Sequence, residues 1–159
     1  MNGCCLDHIT VTAPTLEAGV TYLGERLGVS PQPGGSHPRM GTHNCLLRIG
    51  NGMFLEVIAP DPDAPRPGRP RWFELDTLAP DAPPRLATWV ARTADLGETL
   101  AACTEPLGTI EPMSRGALDW LITIPADGSL PFGGCAPALI QWKTRPHPAA
   151  RLEDRGCSL

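Results

Sequence analysis

Two polar side chains in otherwise apolar segments are the residues of this sequence best placed to do chemistry. Glu56 is the one charged residue in the run Met53 to Ala59, and His8 lies in the alternating segment LDHITVT. An unpaired buried charge is costly, so Glu56 needs either solvent or a partner. A carboxylate beside an imidazole tunes that imidazole for proton transfer near neutral pH. The pair therefore predicts acid–base catalysis, and a hydrogen-bonded pair without a catalytic role is the alternative.

Strand periodicity predicts which face of the sheet these two residues occupy. Successive side chains of a strand point to opposite faces, so His8 lies opposite Ile9 and Val11. By the same rule, Glu56 lies opposite Leu55. We therefore expect His8 and Glu56 to face each other across the polar side of a cleft.

Four further polar residues are predicted to contribute to the same cleft. If Cys45 packs on a helix, Asn44 and Arg48 face inward, and the same parity in the second half places Asp119 inside. Arg48 could clamp a substrate carboxylate with two parallel hydrogen bonds, although a solvated arginine at a strand end is an equal alternative. Arg115, just before a turn, could help to bind an oxygen-rich ligand.

Position in the sequence and strand parity predict where the histidines and tryptophans lie. His37 lies in a Gly-Gly-Ser-His-Pro loop, from which it could reach over the cavity as a proton shuttle. His43 has the opposite parity from Asn44 and is expected outside. Parity also predicts that Trp120 and Trp142 lie on the helix side of the sheet, as core residues.

A helix and a hairpin must position the first group of residues. Thr15 is predicted to cap a helix that Gly28 ends, because apolar residues between them recur every three or four positions. The strands Thr42 to Ile49 and Met53 to Ala59 are joined by a Gly-Asn-Gly turn that suits a tight hairpin. Residues 29–40 hold at most a short, irregular edge strand, since proline cannot donate to a ladder. The first half therefore reads strand, helix and three strands.

The second half repeats this pattern. Leu86 to Gly108 aligns with Leu6 to Gly28 without a gap, and predicts a second helix from an Asp95 cap to the stop at Gly108. Two further strands align in the same way: Gly116 to Ile124 with Gly41 to Ile49, and Ala138 to Lys143 with Met53 to Ile58. The prediction is a single domain with module one at 5–60, a connector at 61–84, module two at 85–145 and a C-terminal tail at 146–159.

Composition excludes several classes of partner. The net charge is −4 and there is no run of Lys or Arg, which argues against nucleic acid and against an anionic membrane surface. No apolar stretch approaches the roughly 20 residues that span a bilayer. The six cysteines lack CxxC spacing, which suits reduced thiols. We expect a soluble, cytoplasmic protein whose partner is a small molecule.

Two tandem βαβββ modules resemble the vicinal oxygen chelate superfamily, which includes glyoxalase, extradiol dioxygenases and the fosfomycin- and bleomycin-resistance proteins. Several segments look like its bacterial glyoxalase-like branch, namely LDHITV, GGSHPRMGTHN, LEVIAPDP, RWFELD, GALDWLIT and ALIQW. The resemblance implies an α+β fold in which a curved mixed sheet surrounds one cleft, with the helices outside. It also implies a homodimer.

The resemblance further implies a metal position formed by the first and last strands of each module. The matching residues are His8 and Glu56 in module one, and Thr88 and Gln141 in module two. Gln141 could add a weak amide oxygen, whereas Thr88 is a poor ligand for most metals. The implied cofactor is a divalent metal held by His8, Glu56 and Gln141, with a metal-free acid–base pair as the alternative.

The expected function follows from this site. We expect a small-molecule enzyme of lyase, isomerase or ring-cleaving type that acts on an oxygen-rich substrate. His8, Glu56 and His37 are its expected catalytic residues, and Asn44, Arg48, Asp119 and Arg115 its substrate-binding residues. The alternative is a non-catalytic protein that sequesters a small molecule, which the incomplete ligand set in module two favours.

Overall fold

The computed structural model describes residues 3–159, in which two βαβββ units form one mixed sheet. The first unit comprises β1 (Cys5–Thr12), α1 (Leu16–Leu27), β2 (Gln32–His37), β3 (Thr42–Gly50) and β4 (Met53–Pro60). The second comprises β5 (Arg85–Arg92), α2 (Leu96–Ala102), β6 (Thr109–Arg115), β7 (Leu118–Ile124) and β8 (Ala138–Trp142). Short 3-10 segments, Leu75–Thr77 and Pro148–Arg151 among them, lie in the connector and the C-terminal tail.

The two helices begin at the predicted caps. Thr15 Oγ1 accepts a hydrogen bond from the Ala18 amide at 3.2 Å, and Gly28 ends α1 in the left-handed region at φ 70°. The Asp95 carboxylate caps α2 in the same way, at 2.9 Å from the Glu98 amide. The predicted length of α2 is wrong, because this helix stops at Ala102 rather than at Gly108. Pro106 prevents the helix from reaching Gly108, since proline removes an amide donor and disfavours helix in the preceding residue.

The sheet has eight strands in the order β2-β3-β4-β1-β5-β8-β7-β6. Within each unit the first strand is parallel to the last, and the two units join through the antiparallel pair β1 and β5. This arrangement confirms the predicted α+β class and the duplicated architecture.

The sheet curls until its two edge strands face each other. Arg39, which follows β2, donates to the Pro112 carbonyl of β6 at 2.7 Å. Arg39 and Arg69 also share the Glu111 carboxylate, at 2.7 and 2.5 Å. These ion pairs hold the half-barrel around an enclosed space.

The apolar side chains divide between the two faces of the curled sheet. The outer face packs on the helices, with Leu23 of α1 against Val11 and Val57. The inner face carries the largest cluster, which includes Met40, Ile58, Trp72, Val90, Trp120, Ile122 and Ile140. No helix within residues 3–159 combines the length and apolar character needed to cross a membrane.

A bulge interrupts the pairing of β1 with β5. Leu6 pairs with Ala91 and His8 with Val90, so Asp7 is an extra residue on β1 without a partner of its own. A bulge re-aims the side chains beside it. It therefore allows the neighbours Asp7 and His8 to point toward the same region, which regular alternation forbids.

The packing of α1 on β4 predicts opposite effects for alanine at two glycines of that helix. A Cβ at Gly19 would fall on Val57 Cγ1, whereas a Cβ at Gly24 meets only Ser30 Oγ at 3.7 Å. Gly19→Ala should lower the free energy of unfolding by about 1–3 kcal/mol through overpacking. Gly24→Ala should raise it by about 0.5–1 kcal/mol, because alanine is the better helix former. Urea denaturation of both variants checks this, and equal effects would contradict the close packing.

Candidate active site

The Asp7–His8 pair is the centre of the site. The bulge in β1 brings the two side chains together, so that His8 Nδ1 lies 2.6 Å from Asp7 Oδ1. Asp7 is completely buried and His8 is 5% exposed. A buried carboxylate needs hydrogen-bond donors on both oxygens.

Two hydrogen-bond donors and one nearby cation complete the environment of Asp7. Its Oδ2 accepts from His147 Nε2 at 2.9 Å and from Trp142 Nε1 at 3.0 Å, and the Arg92 guanidinium lies 3.7 Å away. Burial alone would raise the pKa of Asp7, but hydrogen bonds from His147 and His8 and their charge interactions bring it well below its usual range. Asp7 is therefore a carboxylate at neutral pH, and His8 donates to it from Nδ1.

The hydrogen bond to Asp7 determines which atom of His8 faces the cavity. When the imidazole is neutral, its proton lies on Nδ1 and Nε2 presents a lone pair. Nε2 is 3.6 Å from Glu56 Oε2. The ring also stacks on Phe54, with centroids 4.5 Å apart and planes inclined by 13°. His8 is thus fixed in orientation, with an available nitrogen beside a carboxylate.

Glu56 is held by neighbouring strands. Asn44 of β3 donates to its Oε1 at 2.6 Å, and Thr10 of β1 donates to its Oε2 at 3.2 Å. Arg115 of β6 in turn donates to Asn44 Oδ1 at 2.9 Å. Burial lowers the pKa of Arg115 while the Glu56 charge raises it, and an arginine remains protonated. This chain of contacts links the two modules through one half-buried cation and one buried anion.

His37 ends β2 rather than lying in a loop, and it is 3% exposed. Its Nδ1 contacts Thr42 Oγ1 at 3.1 Å, and its Nε2 lies 3.5 Å from Asn44 Nδ2. Burial and the Arg115 charge lower its pKa to about 3. His37 is therefore neutral at physiological pH, and its contacts support Asn44 and the Trp72 side of the wall.

These side chains border a small cavity of about 30 Å³. One water molecule needs roughly 10–15 Å³ of such space, so the cavity can hold ordered water. Its wall is mostly aromatic or apolar, and its lining residues are His8, His37, Phe54, Glu56, Trp72, Phe73, Arg115, Trp120, Ile122, Ile140 and Trp142.

The predicted facing of β7 and β8 is wrong by one residue. Trp120 and Trp142 line the cavity, while Leu121 packs with the residues around α2. Asp119 is exposed, and its backbone bonds to Thr144 and Lys143. Both faces of these strands bury apolar side chains, so alternation alone could not distinguish them.

The predicted position of Gln141 in the cleft is wrong for the same reason. Its Oε1 accepts from the Leu96 amide at 3.2 Å and its Nε2 donates to the Ala94 carbonyl at 2.5 Å. The side chain therefore supports the start of α2 on the outer face and does not reach the cleft.

Arg48 lies on the same face of β3 as Asn44 and Leu46, as predicted from parity, but it does not line the cavity. Within residues 3–159 its side chain makes no hydrogen bond or ion pair. Phe54 pairs with Arg48 in the sheet and stacks on His8, and it packs with Leu46 and with Ala149 and Leu152 of the tail.

The donor set does not fit a divalent metal. Metal sites in proteins use three or four donors, and only His8 and Glu56 converge here. Trp120, Ile140 and Trp142 occupy the wall contributed by module two, and Thr88 turns its hydroxyl to the Trp89 carbonyl. Among the residues described, no cluster of three or more His, Cys, Asp or Glu side chains could hold a metal ion.

Sequence reasoning missed Asp7 and His147. In a regular strand Asp7 would point away from His8, and only the bulge reverses this. The Asp-His dipeptide in an apolar strand was the available signal for Asp7. His147 lies in a proline-rich tail with no periodic pattern, so nothing local indicated its contact with Asp7.

The comparisons identify the family. The sequence matches the model of the glyoxalase-like domain over residues 6–159. The chain therefore belongs to this family, within the vicinal oxygen chelate superfamily that its fold and repeated modules indicate. It matches no protein of curated function.

Solved structures with the same fold include two epimerases. A hypothetical protein from Staphylococcus aureus has a TM-score of 0.60 at 16% identity, over 88% of this chain and 59% of that one. Methylmalonyl-CoA epimerase from Mycobacterium tuberculosis has a TM-score of 0.57 at 18% identity, over 91% of each chain. A variant of the Streptomyces coelicolor methylmalonyl-CoA epimerase, bound to 2-nitronate-propionyl-CoA, has a TM-score of 0.58 at 19% identity, over 91% of this chain and 98% of that one. At these identities the likeness is one of fold.

The burial of His37 predicts a specific acid sensitivity. Its pKa falls from 6.5 to about 3 on folding, so the unfolded chain binds a proton that the folded chain does not. Stability should therefore fall as the pH drops from about 6.5 toward 4, by up to about 1.4 kcal/mol per pH unit. Asp7 adds to this pH dependence only below the same window. Its pKa is depressed on folding, so the stability that its carboxylate provides is lost only as the pH falls below about 4.

Urea unfolding at several pH values measures this slope. His37→Gln should flatten it between pH 6.5 and 4. The matched variant is His43→Gln, which replaces a partly exposed histidine near the start of α1, and it should retain the slope. Equal slopes for the wild type and His37→Gln would contradict the assignment.

Proposed function

We propose that this chain is a small-molecule enzyme of isomerase or lyase type that moves a proton on a carbonyl-containing, oxygen-rich substrate without a metal. The observation that carries the proposal is the hydrogen bond of 2.6 Å from His8 Nδ1 to Asp7. This hydrogen bond leaves His8 Nε2 unprotonated, so that its lone pair faces the cavity in the position of a general base.

Asp7 acts as a positioning residue for His8. An acceptor on Nδ1 fixes the tautomer and stabilises the positive charge that develops when Nε2 takes a proton. The three donors around Asp7 keep it ionised, so it can perform both tasks. The same fixed geometry reduces the reorganisation needed during proton transfer.

The Glu56 carboxylate is a second negative charge, after Asp7, that stabilises the protonated form of His8. It lies 3.6 Å from Nε2, which also allows it to receive the proton through a small displacement. Asn44 and Thr10 hold the carboxylate in place. We therefore assign Glu56 a catalytic role together with His8.

Arg115 supplies positive charge where an enolate-like oxygen would develop. Its guanidinium lines the cavity and uses NH1 to bind Asn44, leaving other N–H groups for a substrate oxygen. Asn44 has both amide groups engaged with protein partners, so we assign it the positioning of Glu56 and Arg115. We assign His37 the role of supporting Asn44, because both nitrogens of its neutral ring contact protein partners, Thr42 and Asn44.

Of the lyase, isomerase and ring-cleaving reactions, the similarity in fold to methylmalonyl-CoA epimerases supports an isomerase reaction. Dioxygenase chemistry is less favoured, because the donor set at His8 and Glu56 is too small for a metal. We also keep the homodimer and the cytoplasmic location as proposals. Leu86 and Phe132, 65% and 58% exposed, offer apolar surface for a dimer, and all six cysteines are free thiols.

A non-catalytic binding protein is the second candidate. The mostly aromatic wall favours it, because such side chains suit a flat apolar ligand held by contact area. In that case His8 and Glu56 would form hydrogen bonds to the ligand without moving a proton.

Hydrogen exchange into solvent distinguishes the two candidates. A panel of small 2-oxo acids, hydroxyketones and acyl thioesters is incubated with the protein in D₂O, and deuterium at the carbon next to the carbonyl is followed by NMR. The proposal predicts catalysed exchange for at least one compound, with a loss of about 10²–10⁴-fold in His8→Ala. Addition of a chelator should leave the rate unchanged.

The control variant is His43→Gln, which lies outside the cleft and should exchange at the wild-type rate. A panel in which compounds bind without exchange would favour the binding protein. Loss of exchange on chelation would contradict the metal-free mechanism.

A further inference from the structure

A second, larger pocket lies where the C-terminal tail crosses one end of the half-barrel. Its volume is about 940 Å³. It is bordered by the end of β5, the hairpin turn before β4, the end of β8 and the first residues of the tail. Its lining residues are Gly3, Cys5, Gly52, Arg92, Thr93, Ala94, Gln141, Trp142, Thr144, Arg145, Pro146 and His147.

This pocket adjoins the candidate active site. Trp142 lines both spaces, and His147 lines the larger one. Both side chains donate to Asp7, which holds His8. A single layer of side chains therefore separates the pocket from the catalytic imidazole.

The charge of the pocket is one-sided. Arg92 and Arg145 line it, and none of its described lining residues is an Asp or a Glu. Arg92 NH1 donates to the Leu6 and Gly52 carbonyls at 3.1 and 2.6 Å, which fixes the guanidinium in place. Its Nε and NH2 make no hydrogen bond to any residue in 3–159. The neighbouring Asp7 carboxylate lies 3.7 Å from Arg92 NH1, and it also accepts hydrogen bonds from His8, Trp142 and His147.

Arg145 has no partner in this arrangement. Its side chain is exposed, and among the residues described it forms neither a hydrogen bond nor an ion pair. Guanidinium groups bind phosphate oxygens through parallel, charge-assisted hydrogen bonds. Two such groups with unused N–H donors around one pocket suit a doubly charged anion.

We propose that this pocket binds a phosphate group, held by Arg92 and Arg145. Two sources share this chemistry: a phosphate ester that is part of the substrate, and free phosphate. Binding requires only the two arginines and the tail, so it does not depend on proton transfer at His8.

Titration with inorganic phosphate tests the proposal. The indole N–H signal of Trp142, assigned by its loss in Trp142→Phe, is followed by NMR at constant ionic strength. We expect a saturable shift in the wild type and about tenfold weaker binding in Arg145→Gln. The matched control is Arg151→Gln, an exposed arginine of the same tail outside the pocket, and it should bind as the wild type does.

Absence of a saturable shift in the wild type would overturn the proposal. So would equal affinities for Arg145→Gln and Arg151→Gln. His8→Ala should leave the titration unchanged, which separates a failure of this site from a failure of the proposed catalysis.

Dihydroxyacetone phosphate distinguishes the two sources. If the phosphate belongs to a substrate, this compound should compete with inorganic phosphate and also shift the imidazole signals of His8. If free phosphate is the ligand, dihydroxyacetone phosphate should still compete but should leave the His8 signals unchanged. A compound that shifts neither Trp142 nor His8 and does not compete would count against phosphate binding.

Discussion

The burial of the Asp7 carboxylate is the constraint on which the site depends. A fully buried carboxylate is stable only when donors satisfy both of its oxygens. The chain meets this requirement with donors from β1, β8 and the C-terminal tail, so one charge fixes three separate segments. His8 takes its orientation from that arrangement. The bulge in β1 is the backbone feature that makes it possible.

The fold could be predicted from the sequence because its signals are local and repeated. Caps at Thr15 and Asp95, the Gly-Asn-Gly turn and the gapless alignment of the two halves each correspond to an observed element. Pro106 alone predicts that α2 ends before Gly108. The inner and outer faces of β7 and β8 could not be predicted, because both faces are apolar and a shift of one residue reverses them.

The candidate site could be predicted only where a polar residue interrupts an apolar strand. This rule placed His8, Glu56 and Asn44 together, and Arg115 reaches them from β6. It failed for Gln141 and Asp119, which follow the reversed facing of module two. Asp7 and His147 depend on a bulge and on a tail contact far apart in sequence, and neither leaves a periodic pattern. The resemblance to metal-binding relatives predicted a cofactor that the donors of module two do not support.

The central claim is that Asp7 holds the proton of neutral His8 on Nδ1 and leaves Nε2 available to a substrate. Nitrogen-15 NMR of the imidazole side chains, recorded on the neutral form of the ring, measures this directly. The account predicts a protonated Nδ1 and an unprotonated Nε2 for His8, and loss of this preference in Asp7→Asn. A neutral His8 protonated on Nε2 in the wild type would contradict it.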